Sequence, residues 1–334
     1  MQPIKAGDGV WQITLPTPFA IGPVNVYIIQ SEKITLIDAG PKTEEAHQAF
    51  VSGLEAIHLT PESIDQIVLT HHHPDHTGLV DYFAGDIPIF AHPHCEPWLA
   101  HEPAFIKRYN DYFRDLSVQM GVPAKASDQD PSIEDYLAYS SRASVDHFIQ
   151  EGDRATGLAD WEVLDVPGHA SSHIALYRPY DKLLIGGDLL LEKVSSNAIL
   201  EPPFHDNDLA PRTLLQYRHS LRKCLDIEVD KVLPGHGNIF SGAHGLILER
   251  LKQQVKRRHD VLSYFQAEAL PVFTIAKEMF SKAYQSQLDL VLSEIQGHID
   301  WLVLRGDIQA SIKDGVVYYE RTDHLGDGLC PIDV

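Results

Sequence analysis

Short apolar runs with polar or glycine-rich flanks recur through the first two thirds of the chain. Four of them, at 65–70, 161–166, 182–187 and 231–233, have the length and the boundaries of buried strands. The pattern therefore predicts a strand-rich region over the first part of the chain.

Helical periodicity marks the stretch between two of these runs. In residues 97–121, aromatic and apolar side chains recur mostly at spacings of three and four, which predicts an amphipathic helix with an aromatic face. Gly121-Val122-Pro123 stops this helix, and Pro131-Ser132 opens a second one. We interpret residues 97–145 as a helical insertion.

The C-terminal part, residues 243–334, follows a different pattern. It begins with a long, partly amphipathic helix, continues with a short helix that has Thr274 as its N-cap, and has a strong third helix at 287–305. Lys313-Asp314-Gly315 then separates two apolar runs, a hairpin signal. Helices followed by a hairpin predict a winged-helix-like domain, which leaves residues 1–242 as the first domain.

Metal-ligating residue types follow the run at 65–70. Residues 70–78 contain His71, His73, Asp75 and His76, in the register His-x-His-x-Asp-His. Imidazole nitrogens and carboxylate oxygens together suit Zn²⁺, and also Fe or Mn, better than the metals that thiolates select. The cluster therefore predicts part of a metal site at a strand end.

The three later runs supply residues of the same kind. His169 follows the second run, Asp188 ends the third, and His236 follows the fourth within Pro234-Gly235-His236-Gly237, where glycine allows a sharp turn. For any one of them alone, a surface or hydrogen-bonded structural role would be the better explanation. Their joint occurrence at strand ends predicts that they complete one metal site.

The ordered set resembles the dinuclear site of the metallo-β-lactamase superfamily. The matching residues are His71, His73, Asp75, His76, His169, Asp188 and His236. The resemblance implies an α/β fold of the αββα type, in which two mixed sheets pack face to face with helices outside. It also implies the following ligand sets: His71, His73 and His169 for one metal, Asp75, His76 and His236 for the second, and Asp188 as the bridge.

Further residues gain expected roles from this resemblance. Residues 34–40 resemble the family's early strand, and Asp38 within them resembles the family aspartate that supports a ligand histidine from behind. His173 lies four residues after His169, and we expect it to support a ligand or to touch the substrate without binding metal. Asp75 and His173 are our candidates for catalytic residues.

The predicted reaction is hydrolysis. Two divalent ions roughly 3.5–4 Å apart can share a water, lower its pKa toward ~7 and leave a bridging hydroxide as nucleophile. No serine or cysteine nucleophile is then needed, and the chain has no Gly-x-Ser-x-Gly motif. Cys95, Cys224 and Cys330 form no Cys-x-x-Cys pair. The expected cofactors are two divalent metal ions, with Zn²⁺ favoured over Fe or Mn.

Substrate contacts are expected from the insertion and from the loop after Asp188. Most aromatic residues of the insertion are explained by packing on the core, but variable loops on a rigid scaffold often shape the pocket. Tyr109 and Tyr112 in the insertion, and His205 in the loop, are the candidates for the pocket wall.

Composition limits the partners. With 27 Lys and Arg against 47 Asp and Glu, the formal net charge is −20, which argues against a large polyanion such as nucleic acid. No apolar segment reaches the roughly 20 residues that span a bilayer, and the N-terminus lacks the apolar core of a signal peptide. We expect a cytoplasmic protein with a small-molecule acyl substrate and no membrane partner, and we leave homo-oligomerisation open.

Three functions remain in order of preference. The first is hydrolysis of a carbonyl ester, thioester or lactone, as in the glyoxalase II-like thioesterases and lactonases that the chain resembles. The second is phosphodiester cleavage of single-stranded RNA, because the C-terminal domain resembles that of a branch that includes animal endoribonucleases. The third is a non-catalytic, metal-dependent binding protein. Hydrolysis of β-lactams is disfavoured, since the well-known groups of those enzymes lack an aspartate at the position of Asp188.

Overall fold

The computed structural model describes residues 2–83, 87–124, 132–205, 208–266 and 268–322. Pro131, the first residue of the second predicted insertion helix, lies outside these ranges, as do Cys330 and the end of the predicted C-terminal domain.

Two mixed β-sheets form the centre of the molecule. The first has seven strands in sequence order, antiparallel from β1 to β4 and parallel from β4 to β7. The second has four strands in the order β11-β10-β9-β8, of which only β10 and β11 are parallel. The strands of the two sheets are β1 Ile4–Gly7, β2 Val10–Leu15, β3 Val24–Gln30, β4 Ile34–Ile37, β5 Gln66–Val68, β6 Ile89–Ala91, β7 His147–Phe148, β8 Glu162–Asp165, β9 Ile174–Arg178, β10 Leu183–Gly187 and β11 Lys231–Pro234. A separate antiparallel hairpin consists of β12 Ile308–Lys313 and β13 Val316–Arg321.

Helices cover the outer faces of both sheets. Among the described residues the α-helices are α1 Glu44–Ala56, α2 Pro74–Thr77, α3 Glu96–Leu99, α4 Pro103–Gln119, α5 Ile133–Leu137, α6 Thr213–Lys223, α7 Ala243–Leu262, α8 Val272–Met279 and α9 Leu288–Arg305.

Three apolar layers hold these elements together. Val68 and Ile185, from opposite sheets, belong to the core between the sheets. Phe50 of α1 packs on the far face of the first sheet, and Leu214 and Leu221 of α6 pack on the far face of the second. The predicted αββα arrangement is therefore confirmed.

The insertion differs from the prediction in one respect. The single predicted helix over 97–121 is wrong, because the chain breaks between α3 and α4. His101 has a left-handed backbone with φ of +49°, and Pro103, which has no amide hydrogen to donate, begins the second helix. Gly121, with φ of +75°, ends α4 as expected.

The C-terminal elements follow the predicted order of helices and hairpin. The short helix α8 begins at Val272 after Pro271, so the prediction of Thr274 as its N-cap is wrong. Helix α9 packs directly on α6, since a Cβ added to Gly297 would lie 2.6 Å from the Cβ of Leu214. The winged-helix description and the boundary after residue 242 stay predictions.

Candidate metal centre

The loop after β5 gathers four of the predicted ligands within a few residues. His71 and His73 precede the one-turn helix α2, and Pro74 begins that helix, which turns Asp75 and His76 toward the same interior. The turn closes at Gly78, where a Cβ would lie 2.0 Å from the Lys42 backbone nitrogen. All four of these ligand candidates are buried or half-buried.

Glycines allow the other three ligands to approach this loop. Gly168, with φ of +133°, precedes His169 and lies against α6, where a Cβ would be 2.3 Å from the Tyr217 nitrogen. Gly187 precedes Asp188 with φ of +48°. A Cβ on Gly235 would lie 2.2 Å from an Asp188 carboxylate oxygen. Side chains at these positions would keep the strand ends apart.

The seven predicted ligands meet in overlapping groups. His71, His73 and His169 form one group, and Asp75, His76 and His236 form another, with the ligand atoms of each group within 4.8 Å of one another. A third group, His71, His76 and Asp188, overlaps both. The ligand positions that the sequence predicted are therefore brought together in one place.

Distances within the first group suit a single ion. His71 Nε2 and His73 Nδ1 are 3.0 Å apart. Two nitrogens bound to one Zn²⁺ at ~2.0–2.1 Å are separated by roughly 3–3.5 Å, so this spacing fits a shared metal. His169 Nε2 lies 3.5 Å from Asp188 Oδ2, which connects the third histidine to the central carboxylate.

Distances within the second group reach the same carboxylate. His236 Nε2 lies 3.2 Å from Asp75 Oδ2 and 3.5 Å from Asp188 Oδ2. His76 Nε2 lies 3.6 Å from Asp188 Oδ1. Asp188 thus stands between the two groups, with one oxygen near His76 and the other near His169 and His236.

In three of the histidines, the ring nitrogen that faces away from the site already has a contact within the protein. This contact directs the other ring nitrogen toward the centre of the site. Nδ1 of His76 lies 2.8 Å from Asp38 Oδ2, and Nδ1 of His169 and His236 lie 2.8 Å and 2.9 Å from the carbonyl oxygens of Asn197 and Pro23. Such contacts fix the tautomer and the ring orientation of metal-binding histidines.

Buried polar atoms without a partner point into the same centre. They are Nε2 of His76, Nε2 of His169 and Oδ1 of Asp188, and none has a hydrogen-bond partner among the described residues. Because an unpaired buried polar atom is costly, a group of convergent ones indicates a ligand. The donor set of imidazoles and carboxylates fits divalent metal ions.

A family model described as the metallo-beta-lactamase superfamily matches residues 20–236. The chain belongs to this superfamily. It is a metal-dependent hydrolase, with His and Asp clusters that fit divalent metal ions.

Relatives extend the likeness over nearly the whole chain. The "Probable metallo-hydrolase YqjP" of Bacillus subtilis is 36% identical over 94% of this chain and 98% of its own length. A hydroxyacylglutathione hydrolase of Bdellovibrio bacteriovorus is 23% identical over 66% of this chain and 77% of its own. The crystal structure of a metallo-beta-lactamase family protein from Thermus thermophilus has the same fold, with a TM-score of 0.80 and 24% identity over 95% of this chain and all of that one.

Electrostatics differ between the two ligand groups of this superfamily member. Burial lowers the pKa of His71 and His73 well below the usual range. In the second group burial also acts to lower histidine pKa values, but carboxylates outweigh it, raising the pKa of His76 to about 9 and that of His236 to about 11. Metal ions bound by the second group therefore compete with protons.

His173 contacts a ligand residue from behind. Its Nε2 accepts a hydrogen bond of 3.0 Å from the Asp188 backbone nitrogen, and its side chain is buried. Burial lowers its pKa to about 3, so the ring is neutral and Nε2 is available as an acceptor. The geometry places His173 in support of Asp188, and it is not among the described residues that line the cavity over the ligands.

A cavity of about 850 Å³ opens over the ligands. Its floor includes His73, Asp75, His169, Asp188 and His236, and its far wall comes from residues 284–290, which lead into α9. The C-terminal part of the chain thus completes the pocket.

The three predicted pocket residues lie in different places. Tyr109 lines a second, smaller cavity beside the first. Tyr112 packs edge-on against Phe113, 5.3 Å between ring centroids, and is not among the residues described as lining either cavity. His205 is exposed, beside Phe204.

Two residues near the site did not stand out in the sequence. Tyr136 of α5 lines both cavities, and Glu201 lies buried in the second. A carboxylate directly before Pro202-Pro203, in the loop that follows Asp188, was the available signal for Glu201. Tyr136 carried no such signal, because an aromatic residue in a short helix is usually explained by packing.

Proposed function

We propose that this protein hydrolyses a carbonyl ester, thioester or lactone with two divalent metal ions, Zn²⁺ being the best fit to the donors. The observation that supports this most directly is the position of Asp188, whose carboxylate lies within 3.6 Å of histidine nitrogens from both ligand groups. When bound, such a pair of ions activates a water and polarises the substrate oxygen. A relative's printed name, hydroxyacylglutathione hydrolase, also points to an acyl substrate.

The chain's own residues prepare the site for this reaction. The contacts to Asp38, Asn197 and Pro23 each fix the orientation of one imidazole ring, so little reorganisation is needed when metal and substrate bind. The apolar part of the cavity wall, with Phe19, Leu191 and others, limits the water around the reacting groups.

Cleavage of RNA is less well supported by the same cavity. Lys277 is the sole lysine or arginine among the described residues that line it, and Asp289 adds a negative charge to the wall. A nucleic acid gains much of its affinity from neutralisation of several phosphates, which this wall does not offer. The expected binding partner is a small acyl compound.

The decisive test combines activity with metal content. Asp75→Ala and His169→Ala are assayed against a panel of thioesters, lactones, phosphodiesters and short RNAs, and metal is counted per chain. We expect two ions in the unaltered protein, fewer in the variants, and a loss of acyl hydrolysis of at least about 1000-fold, since metal contributes several kcal/mol of transition-state stabilisation.

Matched controls are Asp115→Ala and His219→Ala, at exposed positions on α4 and α6, which should retain metal and activity. RNA cleavage that the ligand variants abolish, without any acyl hydrolysis, would reverse the proposal. Acyl hydrolysis that survives in both ligand variants would show that the metal takes no part in the reaction.

A further inference from the structure

We propose that the second cavity, called here the side chamber, receives the apolar chain of the acyl substrate while the reacting carbonyl lies over the metal ligands. The side chamber is a space of about 280 Å³ between the insertion helices α4 and α5, the segment 199–201 and helix α9. This inference rests on the proposed acyl hydrolysis and adds the substrate class.

The walls of the side chamber are mainly apolar. They come from three separate parts of the chain: Trp98, Tyr109, Phe113, Leu116, Met120, Ile133 and Leu137 from the insertion, Ile199 and Leu200 from the segment before α6, and Leu292 from α9. Burial of a hydrocarbon chain among such side chains is favourable in proportion to the apolar area removed from water.

The buried polar groups of the side chamber are engaged with the protein itself. Glu201 accepts hydrogen bonds from the backbone nitrogen of Ser171 at 2.7 Å and from its hydroxyl at 2.5 Å. Ser293 Oγ accepts from the Leu200 nitrogen at 3.1 Å and donates to the Asp289 carbonyl at 2.8 Å. His72 stacks on Trp98 with 4.1 Å between ring centroids, and its Nδ1 lies 2.8 Å from Ser172 Oγ. A ligand in this space therefore meets mostly carbon.

The side chamber adjoins the metal ligands. His73, Tyr136, Ile199 and Asp289 line both cavities, so the two spaces share a boundary at a metal-ligand residue. A linear substrate whose carbonyl lies over His73 and Asp188 can extend past Tyr136 into the side chamber. The larger cavity then remains for the alcohol or thiol part.

The volume sets an upper limit on the chain. If each methylene takes about the 30 Å³ that a water occupies, a space of about 280 Å³ holds roughly nine. Straight chains up to that length should gain affinity with each added carbon, and longer ones should not.

The test is a chain-length series of p-nitrophenyl esters from acetate to dodecanoate, assayed with the metal-loaded protein. We expect kcat/KM to rise about three- to fourfold per methylene, the factor that corresponds to burial of one CH₂, and to level off at roughly ten carbons, the carbonyl carbon included. Leu116→Trp, which fills the side chamber, should lower the octanoate-to-acetate ratio of kcat/KM at least tenfold. Leu116→Phe serves as a milder replacement if the tryptophan variant does not fold.

Val118→Trp is the matched control, because Val118 lies on the same helix and is 53% exposed. It should keep the octanoate-to-acetate ratio of the unaltered protein. A flat chain-length profile, or equal changes in the Leu116 and Val118 variants, would overturn the inference.

Binding of butanoate and octanoate, measured by calorimetry, separates this inference from the proposed reaction. Tighter binding of octanoate that Leu116→Trp abolishes, together with no hydrolysis of any ester, would support the side chamber and contradict the proposed reaction. Hydrolysis of short esters, together with equal affinity of the protein for butanoate and octanoate, would support the proposed reaction and exclude the side chamber as an acyl site.

Discussion

Asp38 connects the end of one strand to the candidate metal ligands that follow the next strand. Its carboxylate accepts hydrogen bonds from the backbone nitrogen and hydroxyl of Thr70, at 2.7 Å and 2.8 Å, and lies 2.8 Å from His76 Nδ1. Its backbone is left-handed, with φ of +60°, a conformation that aspartate and asparagine tolerate better than most residues. A carboxylate at this position orients one imidazole of the second ligand group.

Replacing Asp38 by asparagine tests that role with little change in shape. Asparagine keeps the left-handed backbone, but its amide group places a donor beside a histidine nitrogen that needs an acceptor. We expect metal affinity, measured by competition with a chelator, to fall by about 10–100-fold. Asp65→Asn is the control, since that exposed carboxylate accepts from the Ile34 nitrogen at the other end of β5. Equal losses in both variants would contradict a specific role for Asp38.

The carboxyl group of Asp300 in α9 makes the free energy of unfolding depend on pH. Burial raises its pKa to about 6, although Gln296 donates a hydrogen bond to it at 2.6 Å. The pKa of Asp300 is higher in the folded protein than in the unfolded chain. Ionisation of this carboxyl group therefore lowers the free energy of unfolding as pH rises from about 4 to 6, and above pH 6 this loss of stability no longer grows.

Asp300→Asn removes the titrating group and keeps an acceptor for Gln296. We expect the variant to be more stable than the unaltered protein by about 3 kcal/mol at pH 7, and about equally stable at pH 4. Chemical denaturation at both pH values measures this. An advantage of the same size at both would show that charge is not the cause.

At the scale of elements, the candidate metal ligands could be predicted because each belongs to a local pattern. A short apolar run predicts a strand, and the His or Asp that follows lies at the strand end whatever the rest of the chain does. Parallel pairing of β4, β5 and β6, and of β10 and β11, then brings those ends to one edge. The resemblance to a known family supplied the grouping of ligands, and the structure brings the same residues together.

The side chamber could not be predicted in this way. Its walls come from segments far apart in sequence, and their contact depends on how α9 docks on the insertion. Periodicity also does not separate Tyr109 from Tyr112, which lie three residues apart on the same face of a helix. Only the packing of α4 decides which of the two lines a cavity.

Gly235 shows how closely the strand ends approach. A Cβ there would lie 2.2 Å from Asp188 Oδ1 and 2.9 Å from His76 Cε1. Gly235→Ala should therefore displace Asp188 and reduce both metal content and kcat/KM, the latter at least tenfold, while far-UV circular dichroism stays the same.

Gly245→Ala is the matched control for that substitution. Gly245 lies exposed in helix α7 with no atom within 4 Å of an added Cβ. Alanine there should raise the free energy of unfolding by about 1 kcal/mol and leave metal content unchanged. Full metal occupancy in Gly235→Ala would contradict this prediction, because it would show that the backbone near β11 can shift to accept a Cβ without loss of metal.

At the scale of the whole molecule, the C-terminal helices are joined to the sheets through a buried aromatic residue. Trp301 of α9 is fully buried, with the guanidinium carbons of Arg218 and Arg258 at 3.9 Å and 4.4 Å from its ring centroid. Arg218 belongs to α6, which covers the second sheet, and the side chain of Arg258 comes from α7.

Among the described residues no helix is long and apolar enough to span a membrane.

The contact of Trp301 with the two arginines predicts that the two predicted domains unfold together. Trp301→Ala should lower the free energy of unfolding by about 3–5 kcal/mol, through the cavity it leaves and the loss of two cation–π contacts. Leu304→Ala, at a 40% exposed position on the same helix, should cost much less. Because α9 and the sheets share this core, far-UV circular dichroism and metal release should show the same midpoint in each protein, lowered in Trp301→Ala. If residues 243–334 are instead an independent domain, Trp301→Ala will shift a separate early transition and leave the midpoint of metal release where it is in the unaltered protein.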